Sequence, residues 1–321
     1  GDLSTPEAES AFERVIEDLR TLYDLPTAVA ACDLHPDYFS TRFAETHFHK
    51  TVSVQHHAAH VAACMAENRL AEPVLGVAWD GFGYGADGNL WGGEFFLFDG
   101  QIRHVAQLRT FPLPGGEQAI REPRRSALAL LFEIYGEAAF DMSLNILATF
   151  STAELATIRQ MLVRRLNSPR TSSVGRLFDA VAALLDVRQK ISYEGQAAMM
   201  LEWRAQPGVE EGYPFELSEQ EIVRIDFEKM IRQLSAEIDK SSTGVISAKF
   251  HNTLAEMIVV VAEKMGVEKV ALSGGVFQNV YLLERAISRL ERRGFKPYWH
   301  QRVPTNDGGI SLGQLMPAAA G

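Results

Sequence analysis

The chain has 321 residues, 46% of them hydrophobic and 22% charged, with a net charge of −10. That leaves room for two lobes with real cores, and the acidic balance, with no block of Lys or Arg, argues against a nucleic-acid partner while still permitting one nucleotide in a pocket. No unbroken apolar run reaches the ~18 residues of a membrane span and no signal peptide precedes the first helix, so no membrane is expected and the expected localisation is cytoplasmic.

Ser4-Thr5-Pro6-Glu7 predicts a helix start, and Ala11, Phe12, Val15, Ile16, Leu19 and Leu22 continue it at helical spacing. TAVAAC (27–32) reads as a buried strand, HPDYFSTRFAE (35–45) as a helix, TVSV (51–54) as a strand and HHAAHVAACMAENRL (56–70) as a helix. The texture then changes. VLGVAWD (74–80) is a predicted strand, DGFGYGADG (80–88) a Gly-rich turn, and NLWGGEFFLF (89–98) a strand. DG at 99–100 turns tightly into the strand QIRHVAQLRT (101–110), which completes a meander. Residues 113–240 read as mostly helical, with four candidate helices in RRSALALLFEIYG, TAELATIRQMLVRRL, VGRLFDAVAALLDV and GQAAMMLEWRAQ. Then come a helix (249–266), a strand KVALS (269–273), a helix (276–294), a strand KPYWH (296–300) and a short helix over 307–316.

The second half therefore reads βββ, a helical insertion, then α-β-α-β-α, and the first half reads α-β-α-β-α alone. The repeat lies in element order, not in letters. It divides the chain into a partial first lobe (1–72), a second lobe (73–112 and 242–321) and a helical insertion (113–241). A first-lobe meander is expected upstream of Gly1, in a longer protein.

In open α/β sheets ligands lie beyond the carboxyl ends of strands. His56 and His60 follow one such end, Asp80 another, Ser273-Gly274-Gly275 a third and Asn306-Asp307-Gly308-Gly309 a fourth. His56 and His60 are four residues apart on one helix face, a spacing that suits two nitrogens on one metal. His57 points elsewhere and is given a structural role. With Asp80 and Asp307 the set suits a divalent ion, iron or zinc first and manganese as well. No Glu follows the first His, so the HExxH protease pattern is absent. The Gly274-Gly275 turn is either a plain strand–helix turn or a close approach to a phosphate or adenine. Asp179 inside an apolar helix either pairs locally or binds something such as ribose hydroxyls. Glu194, at the start of the next helix, is either a partner of the helix dipole or the other half of a ribose clamp. Arg121, Arg124 and Arg125 are a basic cluster at a helix start, either solvated or an anion or partner contact. Cys32 and Cys64 form no CxxC pair and read as buried free thiols.

The runs VQHHAAHVAACMAEN, WDGFGYGADGNLWGGEFF, GRLFDAVAALL, ISYEGQAAMMLE, LSGGVFQN and NDGGISLGQ, with CDLHPDYFSTRFA, resemble the hydrogenase-maturation carbamoyltransferases of the HypF family. The resemblance covers nearly the whole chain and only that family's C-terminal, Kae1-like domain. It implies an α/β fold of the actin/Hsp70/sugar-kinase type, two lobes around a nucleotide cleft. It implies His56, His60, Asp80 and Asp307 on a divalent metal, and Asp179, Glu194, Gly195, Gly275 and Asn279 along ATP or a carbamoyl-adenylate. An upstream YrdC-like domain would make that adenylate, and the carbamoyl group would pass to a C-terminal cysteine of a HypE-type acceptor. The family often carries a third histidine where Ala58 stands, a position off the ligand face. Rival readings are an O-carbamoyltransferase of secondary metabolism and a nucleotide-binding scaffold inactive without its upstream domains.

Overall fold

The computed structural model describes residues 3, 5–24 and 29–319. Helix α1 (Pro6–Tyr23) is capped by Thr5, whose hydroxyl accepts the Ala8 N–H at 3.3 Å. Ser4 and the first two residues of the expected strand at 27–32 lie outside the described residues. Strand β1 (Val29–Asp33), helix α2 (Phe39–His47), strand β2 (Lys50–Val54) and helix α3 (His56–Asn68) follow. β1 and β2 pair in parallel, Ala31 opposite Val52, as a sheet of their own. A parallel pair needs a crossover, and α2 supplies it.

The larger sheet begins with β3 (Val74–Tyr84), β4 (Leu90–Phe98) and β5 (Ile102–Leu108), an antiparallel meander, and continues with β6 (Phe111–Pro112). Helices α4 (Glu117–Arg121), α5 (Pro123–Tyr135), α6 (Asn145–Ala148) and α7 (Thr152–Arg164) come next, then β7 (Arg170–Thr171). Helices α8 (Val174–Leu184) and α9 (Gln196–Glu202), strands β8 (Glu216–Leu217) and β9 (Val223–Asp226), and helix α10 (Glu228–Glu237) lead to α11 (Thr243–Met265). The chain closes with β10 (Lys269–Ser273), α12 (Val280–Arg292), β11 (Lys296–Tyr298) and α13 (Ile310–Ala319). The strands run in the order β11-β10-β3-β4-β5-β9-β8, with β7 beside β4 and β6 beside β7.

β3 explains the layering. Its side chains alternate between faces, and both faces are covered, so its sequence is a continuous apolar run. Val74 and Ala78 meet Ala58, Val61 and Ala62 of α3. Leu75, Val77 and Trp79 belong to the main core with Leu128, Phe178, Phe250 and Ile258 of α5, α8 and α11. Each such aliphatic or aromatic side chain contributes about 1.5–3 kcal/mol on burial. α11 has the length and apolar composition of a membrane span, but 78% of its most apolar stretch is buried inside the fold, so it is the core helix here.

Four expectations change in detail. The Gly-rich stretch at 80–88 is not all turn: β3 runs on to Tyr84, with a register shift between Trp79 and Gly83. Glycines read as a turn, but the ladder to β4 holds them extended. The helix expected over 35–45 begins only at Phe39, because the Asp33 carboxylate accepts the His35 N–H and closes a turn first. The helix expected from 276 is a 3₁₀ turn over Gly275–Gln278, and α12 starts after Asn279. Within the mostly helical middle, β9 pairs with β5 and widens the sheet; a strand of four residues is too short for periodicity to announce.

α13 lies on α3 and also touches β1 and β2, so the two helices form a layer between the sheets. The approach is close because Gly313 has no side chain: a Cβ there would stand 1.8 Å from the Ala59 carbonyl oxygen. Gly313→Ala is therefore expected to destabilise the chain by about 1–3 kcal/mol, read as a lower urea midpoint with an unchanged slope.

Candidate functional site

The break in the β3 ladder at Asp80, the start of α3, the turn after β10 and the 3₁₀ turn before α13 meet at one point. Gln55 caps α3, its side-chain oxygen accepting the Ala58 N–H at 2.9 Å, and so sets the direction of the first turn. That turn presents His56 and His60 together. His60 Nε2 lies 3.1 Å and His56 Nε2 3.5 Å from Asp80 Oδ2. The same two nitrogens lie 3.4 and 3.6 Å from Asp307 Oδ1. One donor atom from each of the four residues falls within 4.8 Å of every other. The other oxygen of Asp80 accepts the N–H groups of Gly81 at 2.8 Å and Gly275 at 3.1 Å. Behind the cluster, His56 Nδ1 lies 3.0 Å from Asp33 Oδ2, which orients the ring and leaves Nε2 facing Asp80. His57 is buried but outside the cluster, with Nδ1 accepting from Gln55 Nε2 at 3.0 Å.

The electrostatics are those of a cation site. Burial opposes the charged form of His56, but Asp33 and Asp80 outweigh it and raise the ring to about 10. His60 is raised in the same way against its burial, by Asp307 and Asp80. Burial also opposes charge on Asp80, yet His56 and His60 hold it well below the ordinary carboxylate range. His57, enclosed and beside a charged His56, is pushed well below the usual imidazole range. Two imidazoles raised by the carboxylates they face are, with those carboxylates, a donor set that fits a divalent ion, since an ion supplies the same positive charge as the protons do.

A second group adjoins the first across Gly81. Ser173 caps α8 by accepting the Arg176 N–H at 3.1 Å, and its hydroxyl donates to the Asp80 carbonyl at 2.8 Å. α8 therefore begins against the end of β3. Its first turns carry Arg176 and Asp179, 2% and 0% exposed, with Arg176 Nη1 3.0 Å from Asp179 Oδ2. Neither Asp179 oxygen accepts a hydrogen bond, and Arg176 Nε and Nη1 donate none. Each enclosed polar group left this way costs about 1–3 kcal/mol, and more when charged. Glu194 reaches in from the loop before α9: its Oε1 would stand 2.8 Å from a Cβ on Gly81. Desolvation and the carboxylates of Asp80 and Asp307 push Glu194 upward against the pull of Arg176.

A family profile described as "HypF Kae1-like domain" matches residues 1–67, and one described as "Carbamoyltransferase, Kae1-like Domain, second subdomain" matches residues 76–314. The chain belongs to the HypF family. "Carbamoyltransferase HypF" of Synechocystis sp. is 42% identical, over 98% of this chain and 43% of its own length. "Carbamoyltransferase HypF" of Rhizobium leguminosarum bv. viciae is 39% identical, over 98% of this chain and 41% of its own. The structure of a full-length HypF in its phosphate- and nucleotide-bound form superposes with a TM-score of 0.94 at 40% identity, covering 100% of this chain and 42% of that one. HypF of T. kodakarensis gives a TM-score of 0.85 at 29% identity, covering 98% of this chain and 43% of that one. The chain thus spans less than half the length of each of these proteins, and its fold is the Kae1-like α/β fold of the actin/Hsp70 type.

In this HypF-family domain the residues singled out in the sequence divide into three sets. His56, His60, Asp80 and Asp307 converge, Gly275 binds Asp80 directly, and Gly274, at φ 102°, donates to the Thr305 carbonyl beside Asp307's turn. Asp179 and Glu194 flank Arg176, and Gly195, at φ 74°, begins α9. Asn279 is engaged elsewhere: its side chain caps α12 at the Leu282 N–H and donates to His251 Nε2. Arg124 and Arg125 pair with Glu122 away from this site, and Arg124 also with Glu154. Cys32 and Cys64 are free and buried, as expected, with burial raising both thiols, Cys64 to about 12. Asp33 and Arg176 were missed. Asp33 stands at the carboxyl end of β1, the same signal that singled out Asp80, and Arg176 was hidden by looking like the local partner of Asp179.

Burial, against the pull of Arg176 and helped by Glu194, raises Asp179 from 3.8 to about 6. A carboxyl raised in the folded state binds more protons folded than unfolded between those values, so stability falls as pH rises through that window. Asp179→Asn removes that loss. From about pH 4 to about pH 7 the stability of the Asn variant relative to the wild type should rise by on the order of 3 kcal/mol, measured by urea denaturation at each pH.

Proposed function

We propose that this chain passes a carbamoyl group from a carbamoyl-adenylate to the C-terminal cysteine thiolate of a HypE-type acceptor, the new S–C bond replacing the C–O bond to the phosphate and AMP leaving, on the route to the cyanide ligands of the NiFe hydrogenase iron. An upstream YrdC-like domain is the source of the adenylate in this reading. The observation that carries it is the double use of Asp80, which faces the two imidazoles with one oxygen and takes the Gly81 and Gly275 N–H groups with the other. A cation centre and a glycine turn suited to a nucleotide thereby share one side chain. Relatives named carbamoyltransferases, and a relative solved with phosphate and nucleotide bound, support the same reading.

His56, His60, Asp80 and Asp307 are the residues that would hold a divalent ion, iron or zinc. When bound, such an ion acts as a Lewis acid on an oxygen of the carbamoyl or phosphoryl group. Asp33 keeps the His56 ring turned toward the site. Asp179 and Glu194 accept from the ribose hydroxyls, and the Gly274-Gly275 turn lets the backbone approach the nucleotide, with Gly195 and Asn279 behind it. The cleft lies between a first lobe within residues 1–72 and a second lobe built on the meander and on 242–321, and residues 113–241 insert into that second lobe. Neither Cys32 nor Cys64 is a nucleophile, because both are buried with raised thiols. The attacking sulfur therefore comes from the partner.

The metal assignment predicts that His60→Ala loses most of the metal bound per mole of folded protein, by elemental analysis, while His57→Ala loses little. Asp33→Asn should weaken binding about 10–100-fold, as loss of a partner behind a ligating histidine does. Equal losses at His57 and His60 would remove the assignment. The reaction is tested by single turnover. Supplied carbamoyl-adenylate and a peptide ending in cysteine should give a thiocarbamate adduct by mass spectrometry, and the same peptide with a terminal serine should not. Transfer to the serine peptide alone would point to an O-carbamoyltransferase instead.

A further inference from the structure

Arg176 is the charged group at the site that no role assigned above uses. It is 2% exposed, and its Nε and Nη1 are enclosed without a hydrogen-bond partner. Asp179 is in ionic contact at 3.0 Å, yet both its oxygens also lack a hydrogen bond. Enclosed polar groups are almost always satisfied, so a guanidinium and a carboxylate both left short beside a site point to a missing ligand.

The position says which ligand. Arg176 Nη2 would stand 3.9 Å from a Cβ on Gly81, the residue after Asp80, and Glu194 Oε1 would stand 2.8 Å from the same point. The guanidinium thus reaches from Asp179, which its Nη1 faces, toward Gly81 beside the Asp80 cluster, where Glu194 also arrives. It also sits in the first turn of α8, an 11-residue helix whose N-terminal N–H groups favour negative charge. Everything else charged around that point is acidic: Asp80, Asp307, Asp179 and Glu194. An anion placed there needs a cation, and among the described residues Arg176 is the Arg or Lys whose charge Asp179 and Glu194 feel. The planar fork of a guanidinium matches two oxygens of a phosphate.

We propose that Arg176 is the phosphate-binding residue of the nucleotide site, its guanidinium holding the phosphate oxygens of an adenylate whose ribose lies on Asp179 and Glu194. The proposal rests on the reading that a nucleotide binds here, and the probes separate the two. Adenosine tests the nucleotide site, and the difference between AMP and adenosine tests Arg176. Titration calorimetry is done on metal-loaded and chelator-treated protein, with a thermal melt of each variant. Wild type binds AMP more tightly than adenosine. Arg176→Gln keeps adenosine affinity within about twofold and loses AMP affinity roughly ten- to hundred-fold, so that the two ligands bind alike. Arg176→Lys keeps the charge without the fork and recovers part of the preference. An AMP preference unchanged in Arg176→Gln overturns the proposal. So does an equal fall for both ligands, which would make Arg176 only a prop for Asp179. If Arg176→Gln fails to fold, Arg176→Lys decides: an undiminished preference for AMP overturns the assignment. Wild type that binds neither ligand removes the nucleotide reading itself, and this proposal with it.

Discussion

One carboxylate organises this molecule. Asp80 is 9% exposed and ionised, a state that costs several kcal/mol per ion unless it is compensated. Its compensation comes from three separate parts of the chain. Gly81 supplies an N–H from its own strand, Gly275 one from the turn after β10, and His56 and His60 face it from α3. The Asp80 carbonyl adds a fourth tie, accepting from the Ser173 hydroxyl at the head of α8. The relative placement of two strands and two helices is thus written into the bonds of one residue. The backbone must come close for this to work. Gly274 allows it, since a Cβ there would stand 2.2 Å from the Trp79 carbonyl oxygen, and its φ of 102° is one that glycine adopts freely.

The charges around that residue do not balance by themselves. Asp33, Asp80 and Asp307 surround two imidazoles, and Asp179 and Glu194 share one arginine. With Asp80 held below and His60 raised above their ordinary ranges, the cluster draws in positive charge as protons. A divalent ion and those protons compete for the same nitrogens, so occupation by one releases the other. On the far side of Gly81 the imbalance runs through Asp179, which moves toward its neutral form because burial outweighs Arg176. The two halves respond to the same excess of carboxylates with different chemistry.

How much of this is legible in the letters follows from what kind of signal each part sends. His56, His60, Asp80 and Asp307 were singled out as lying past strand ends, a rule about sheets that needs no contact information, and they do converge, although Asp80 stands inside β3 where its ladder is interrupted and Asp307 lies well beyond β11. Asp33 ends β1 and was overlooked although the strand before it was read, because a lone acid there carries no second residue at metal-ligand spacing as His56 and His60 do. Arg176 could not be recognised from sequence: an arginine three residues before an aspartate on a helix reads as an ordinary pair, which it is, and only the structure shows that the pair is enclosed and short of hydrogen bonds. Asn279, which the resemblance sets along the nucleotide, also has a local task that the letters do not announce: its side chain caps α12 and donates to His251. β8 and β9 left no trace because two- and four-residue strands carry no period.

The unequal exposure of the four cluster residues carries the last step. His56, His60 and Asp80 are enclosed, held by Asp33, by the Gln55 cap and by backbone N–H groups, so their geometry is fixed before anything binds. Asp307 differs: its side chain is 72% exposed, on a 3₁₀ turn capped by Asn306. Three enclosed side chains on the inside and one exposed side chain at the rim leave the cluster shaped on one side and open on the other. In the metal reading proposed above, an open side is what a centre that exchanges a substrate oxygen needs. Asp307's turn is tied to Gly274, whose N–H donates to the Thr305 carbonyl, so the rim of the cluster and the glycine turn are held in one place by the backbone.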